Sequence, residues 1–150
     1  MDRKAIFNQP QTNITLGGMH ILLTCITYME DKLLVFERTE IIIEDNIPEL
    51  WDFPTDFLLY GEDPETAISR IMKKWGLPMK SVRPLKIIST REDRQDWELN
   101  LLYAVEIPTL PDKGMHVENV RYIDTSDLPT MVGKFSRQDI AMLLAQIRWN

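Results

Sequence analysis

The stretch "WDFPTDFLLYGEDPETAISRIMKKWGLP", residues 51–78, runs from a strand-like segment restricted by Pro54 through a turn into an amphipathic helix. The helix signals over 63–75 agree with one another. Asp63 is a capping residue whose carboxylate accepts from free backbone N–H groups. Pro64 takes the first helical position, where its missing donor costs nothing. Glu65 places negative charge near the positive end of the dipole. Ala67, Ile68, Ile71, Met72 and Trp75 fall on one face at helical spacing. Lys73 and Lys74 suit the last turn, and Gly76 and Pro78 stop the helix.

Upstream, "MHILLTCITY" (19–28) is apolar and β-branched, as a central strand requires. "MEDK" is a polar turn and "LLVFER" resumes as a strand, so 19–38 reads as a hairpin. Residues 1–18 form a polar N-terminal arm with a short strand around 14–16. Residues 39–50 stay ambiguous, because Ile41–Ile43 suit a strand that Glu44-Asp45-Asn46 and Pro48 soon break. Downstream, 82–90 and 97–108 read as strands joined by the charged loop "REDRQD". Residues 109–118 read as a loop, and 119–125 as a short strand. A turn over 126–135 leads to a final helix. Ser136 and Asp139 form a capping box there, with Ile140, Leu143, Leu144 and Ile147 as the buried stripe. Helices separated by several strands predict an α/β fold, with a mixed sheet between helices on each face.

The chain has 150 residues, which fits a single domain over 1–150 with a core that needs no staples. Its formal net charge of −6 argues against nucleic acid as the partner. One cysteine, Cys25, sits in an apolar run and reads as a buried strand residue, so no disulfide framework exists within the chain. The N-terminus lacks the apolar core of a signal peptide, and no run approaches the ~20 apolar residues that span a membrane. The expectation is a cytoplasmic protein with no membrane partner.

The segments "LLVFER", "WDFPTDFLLYGEDPETA" and "ENVRYIDTSDLP", in this order, resemble the Nudix hydrolases from about His20 to Arg148. That resemblance implies an α/β/α sandwich. It also implies cleavage of nucleoside diphosphates linked to another group, using Mg²⁺ or Mn²⁺. The family's box reads Gly, five residues, Glu, seven residues, Arg-Glu, hydrophobic, any, Glu-Glu, any, Gly, hydrophobic. Trp51, Pro54, Gly61, Glu62, Ala67 and Arg70 match the family's pattern. Thr55 and Asp56 replace its two glycines after the proline, and Ile71 replaces the Glu after Arg70. The Glu-Glu pair falls on Lys74 and Trp75 counted from Arg70, or on Lys73 and Lys74 counted back from Gly76.

The departures matter through their chemistry. Mg²⁺ is a hard cation that takes oxygen ligands, and Ile71 and Trp75 offer none. Lysines nearby repel a divalent ion, since two unit charges about 5 Å apart interact by roughly 1–3 kcal/mol. The resemblance gives Glu62 and Arg70 a structural role, holding the loop against the helix. The first expectation is therefore a degenerate box with no metal cofactor, in a non-catalytic or very weakly active binder of a nucleotide-like ligand or a protein partner. Arg38, Trp51, Lys73, Lys74 and Trp97 are its candidate ligand contacts, because guanidinium, ammonium and aromatic groups suit phosphates and bases. The alternative is an active hydrolase that recruits Mg²⁺ or Mn²⁺ through the acids Glu62, Asp56, Glu92, Asp93 and Glu98. A third reading has Trp75 and Ile71 filling the cleft. A homodimer is implied by the resemblance alone.

Overall fold

The computed structural model describes residues 19–37, 51–91, 97–109 and 120–149. The expected arm over 1–18 and the ambiguous run 39–50 lie outside them. Strand β1 (Met19–Met29) and strand β2 (Lys32–Glu37) form the expected hairpin, with Tyr28 opposite Leu33 and Met29 opposite Lys32. Only Glu30 and Asp31 remain for the turn, and Glu30 adopts φ 54. A tight hairpin turn demands such left-handed backbone.

The single strand expected over 51–57 is instead two, β3 (Trp51–Asp52) and β4 (Thr55–Phe57). Pro54 explains the break, since it has no N–H to give to a ladder. Its carbonyl still accepts from Cys25 N at 2.9 Å. As a result β3 pairs with β2 while β4 pairs with β1.

Helix α1 (Pro64–Lys74) has the expected caps. Asp63 Oδ1 accepts from Thr66 N at 2.8 Å. At the other end Gly76 takes φ 69, Leu77 N donates to Met72 O at 2.9 Å, and Gly76 N donates to Lys73 O at 3.0 Å. This is the paired 6→1 and 5→2 closure that a glycine just past a helix permits.

Strands β5 (Ser81–Arg91) and β6 (Trp97–Glu106) are antiparallel, and β7 (Val120–Asp124) pairs with β2. Where the sequence suggested only a turn, a miniature hairpin stands, β8 (Met131–Val132) and β9 (Phe135–Ser136). Each of its strands is too short to show an alternation in sequence. Helix α2 (Arg137–Trp149) follows. Ser136 N donates to Asp139 Oδ2 at 2.9 Å and Asp139 N to Ser136 Oγ at 3.1 Å, which is the expected capping box.

The sheet runs β3-β2-β1-β6-β5, with β4 alongside β1 and β7 alongside β2. β1 and β6 are parallel over Met19–Tyr28 and Trp97–Glu106, and the other pairs are antiparallel, so the sheet is mixed. Alternate residues of each strand face opposite sides. Leu23, Cys25, Leu34, Phe36 and Val105 pack beneath Ala67, Ile68, Ile71 and Met72 of α1. On the other face Ile26, Leu33, Val35, Leu102 and Ala104 pack beneath Ile140, Leu143, Leu144 and Ile147 of α2. These two cores make the α/β/α sandwich.

Candidate functional site

Arg70 organises the loop before α1. Its Nε donates to Glu62 Oε2 at 2.9 Å and its Nη2 to Glu62 Oε1 at 3.0 Å. The same guanidinium reaches Asp56 Oδ2 at 3.1 Å and Phe57 O at 2.8 Å. Glu62 Oε1 also accepts from Leu59 N at 3.0 Å, and Asp56 Oδ1 from Phe57 N at 2.7 Å. The Arg70 hydrogen bond, followed by the Leu59 N–H, holds the Glu62 carboxyl below the usual carboxylate range. Glu62 in turn raises Arg70. Both acids are thus committed to ordering the loop.

One turn along α1, the chemistry is apolar. Ile71 is 1% exposed. The Trp75 ring lies 4.8 Å from that of Phe36. Lys73 and Lys74 are exposed in the last turn. A divalent cation needs several oxygen ligands with lone pairs to give. The described residues at this helix do not fit one: the Glu62 and Asp56 carboxylates are paired with the Arg70 cation, Ile71 and Trp75 offer no oxygen, and Lys73 and Lys74 add positive charge. Among the described residues, no group of three or more His, Cys, Asp or Glu is placed to hold a metal.

A cleft of about 600 Å³ lies on the opposite face of the sheet. Its floor is Leu22 and Thr24 of β1, Thr55 of β4, and Glu98 and Asn100 of β6. Residues 86–90 of β5 form one wall, and Lys134, Phe135 and Asp139 form the other. Ile71 and Trp75 belong to the α1 core, on the other side of the sheet from this cleft.

A polar chain crosses the floor. Thr24 Oγ1 donates to Asn100 Oδ1 at 2.8 Å, and Thr55 Oγ1 stands 3.3 Å from Thr24 Oγ1. This use of the Asn100 carbonyl leaves its amide N–H groups as donors on the floor. The second wall is fixed by backbone geometry. Gly133, at φ 58, donates to Trp51 O at 2.8 Å. A Cβ at Gly133 would crowd the Asp52 carboxylate, which would have to shift, and the positive φ there is backbone that glycine adopts most readily.

Of the sequence candidates, Glu98 lines the cleft. Asp56, Glu62 and Arg70 form the loop cluster already described. Trp97 is 47% exposed outside the cleft, and its Nε1 donates to Ser89 Oγ, a cleft residue, at 2.8 Å. Trp51 packs half-buried against the α2 core with Arg121 Cζ 6.0 Å over its ring. Lys73 and Lys74 are not among the cleft residues. Arg38, Glu92 and Asp93 lie outside the described residues. Sequence reasoning missed Thr24, Thr55 and Asn100. The available signal was a polar side chain inside an apolar strand, as in "LLTCI" and "ELNLLY".

No protein-family model matches the chain, and no curated protein matches it. Solved structures do. The MutT NUDIX hydrolase of Burkholderia pseudomallei is 14% identical with a TM-score of 0.63, over 87% of this chain and 98% of that one. The NUDIX domain of Shewanella oneidensis NrtR, solved in complex with ADP ribose, is 13% identical with a TM-score of 0.67, over 99% and 100%. The C-terminal domain of mouse MUTYH, solved in complex with human PCNA, is 13% identical with a TM-score of 0.63, over 87% and 90%. At such identities the likeness is one of architecture, and the architecture of this chain is the Nudix fold.

Proposed function

We propose that this protein binds a nucleotide-like small molecule in the cleft between β5 and the β8–β9 hairpin, and does not cleave diphosphates through its box helix. One observation carries the reading: the oxygens of Glu62 are engaged by Arg70 and Leu59 N while Ile71 is buried in the core. A degenerate box follows, with no metal held by α1. The ligand class is supported by the cleft's chemistry. Lys86 and Lys134 bring positive charge beside the acids Asp52, Glu98 and Asp139, Phe135 an aromatic ring, and Thr24, Thr55 and Asn100 a polar floor. It is supported further by the NrtR domain of the same fold, which was solved with ADP ribose. The MUTYH domain, solved with PCNA, supports the use of this fold to hold a protein partner.

The test is a thermal-shift series on the full chain with ADP-ribose, dinucleoside polyphosphates, nucleotide sugars and nucleoside triphosphates, with and without Mg²⁺ or Mn²⁺. The expected result is a raised melting midpoint with at least one of them, no phosphate or nucleotide release, and loss of the shift in Asn100→Ala. A ligand present at a hundred times its Kd stabilises by about 2.7 kcal/mol, well within such a measurement. A second reading has one specific support, the presence of Glu98 in the cleft. Metal-dependent turnover abolished by Glu98→Gln or Glu62→Gln would establish the hydrolase and overturn the binder.

A further inference from the structure

Glu98 and Asn100 stand two places apart on β6, so both face the cleft, about 7 Å from each other along the strand. They differ in what they offer a ligand. Thr24 Oγ1 donates to Asn100 Oδ1 at 2.8 Å, which leaves the N–H groups of that amide facing the cleft space as donors. Glu98 is half-buried, and among the described residues it takes part in no hydrogen bond or ion pair. An ionised carboxylate only accepts. Along β6 the floor therefore presents two acceptor oxygens followed by an amide donor.

The other ionic groups of the cleft do not answer the Glu98 carboxylate. Asp139 accepts from Ser136 N at 2.9 Å and caps α2. Asp52 accepts from Phe53 N at 2.8 Å, and Lys134 has a partner of its own. Lys86 stands opposite Leu102, four residues along β6 from Glu98, and the strand rise puts about 13 Å between them. His20, in register with Glu98 across β1, lies with its ring centroid 6.0 Å from that of Phe57. Water serves Glu98 while the cleft is open. A ligand that displaces this water must bring donors of its own, because burying an unpaired charge is costly.

The bases of nucleotides differ in the edge they would set against this floor. Guanine carries N1–H and the N2 amino group side by side, with the O6 acceptor next to them. Two donors match the two oxygens of one carboxylate, a pairing that is selective in geometry as well as attractive. Adenine brings one amino group flanked by acceptors, and hypoxanthine lacks the N2 amino group. Either would leave a Glu98 oxygen without a donor. Leu22, Ile88 and Phe135 supply apolar contact for the faces of a flat ring. Resting on the reading of the cleft as a nucleotide site, we propose that Glu98 and Asn100 make it selective for guanine. The Glu98 carboxylate accepts from N1–H and the N2 amino group, and the Asn100 amide donates to O6. Sites built to hydrogen-bond a ligand group reject analogues that lack it.

The test is titration calorimetry on the full chain with GDP, IDP, ADP, CDP and UDP, in the presence of a chelator so that no divalent metal takes part. The same series is run on Glu98→Gln protein, with its fold checked by circular dichroism. The expected result is GDP binding at least tenfold tighter than each of the other four. In Glu98→Gln, GDP should weaken at least tenfold while ADP changes less than threefold. The native series decides the matter by itself if the variant does not fold. Nucleotide binding with no preference for GDP overturns the proposal and leaves the nucleotide site standing. Unaltered GDP affinity in folded Glu98→Gln also overturns it. Binding of no nucleotide at all removes the site, and the guanine selectivity with it.

Discussion

Arg70 grips Glu62 with two parallel hydrogen bonds, Nε to Oε2 at 2.9 Å and Nη2 to Oε1 at 3.0 Å. Bidentate guanidinium–carboxylate pairs are geometrically selective as well as attractive. This one fastens the turn after β4 to the middle of α1. Exposure to solvent limits its contribution to stability, so its main effect is to fix the loop.

The pair gives stability a defined pH dependence. Arg70 and the Leu59 N–H lower the Glu62 pKa in the folded state. A depressed carboxyl stabilises fully above its unfolded value, about 4.3, and loses that effect as pH falls through the folded value. The urea midpoints of the native chain and Glu62→Gln should therefore differ by a constant amount from neutrality to about pH 5. The gap should close at lower pH. A gap that persists unchanged under acid would contradict the pairing.

Restoring a carboxylate to the box helix should fail. Ile71 is 1% exposed, packed among Leu23, Cys25, Leu34 and Phe36. Ile71→Ala should cost about 2–5 kcal/mol through the cavity it leaves. Ile71→Glu should cost at least as much, because it adds the burial of an unpaired charge. Denaturant titration measures both, and calorimetry with Mg²⁺ should show no new binding in Ile71→Glu.

The contrast between α1 and the cleft shows what the amino-acid order makes legible. Caps, glycine stops and helical periodicity are local, so the ends of α1, the first hairpin and the capping box of α2 can all be read from neighbouring residues. Ile71 and Trp75 already stand out as apolar where ligands are expected. The cleft depends on long-range pairing. Thr24 and Asn100 are 76 residues apart and meet only because β1 and β6 run parallel. The β8–β9 hairpin, with two residues per strand, carries no alternation to detect.

Gly133 is the residue on which the hairpin wall turns. Alanine there faces two penalties: left-handed backbone at φ 58, and a Cβ that displaces the Asp52 carboxylate. Gly133→Ala should destabilise by about 1–3 kcal/mol and reduce the thermal shift given by any cleft ligand. The ligand effect separates a displaced wall from simple loss of stability, provided the melts are compared at equal fractions folded.

Cys25 should be inert. Burial pushes its thiol up to about 12, and reactivity follows the thiolate. A thiol-exchange reagent at about pH 8 should leave the folded chain unlabelled and modify one thiol per chain in denaturant. Rapid labelling without denaturant would mean that β1 opens readily.

The parallel union of β1 with β6 also has a consequence for how the chain is made. The middle of the sheet cannot be completed until residue 106 has left the ribosome. Until then the apolar run of β1 has only its hairpin partner, β4 and α1 to cover it. Contacts that span so much of the chain slow folding, because loop closure must precede them. Nascent chains of this protein therefore pass through a long vulnerable interval in which aggregation competes with assembly.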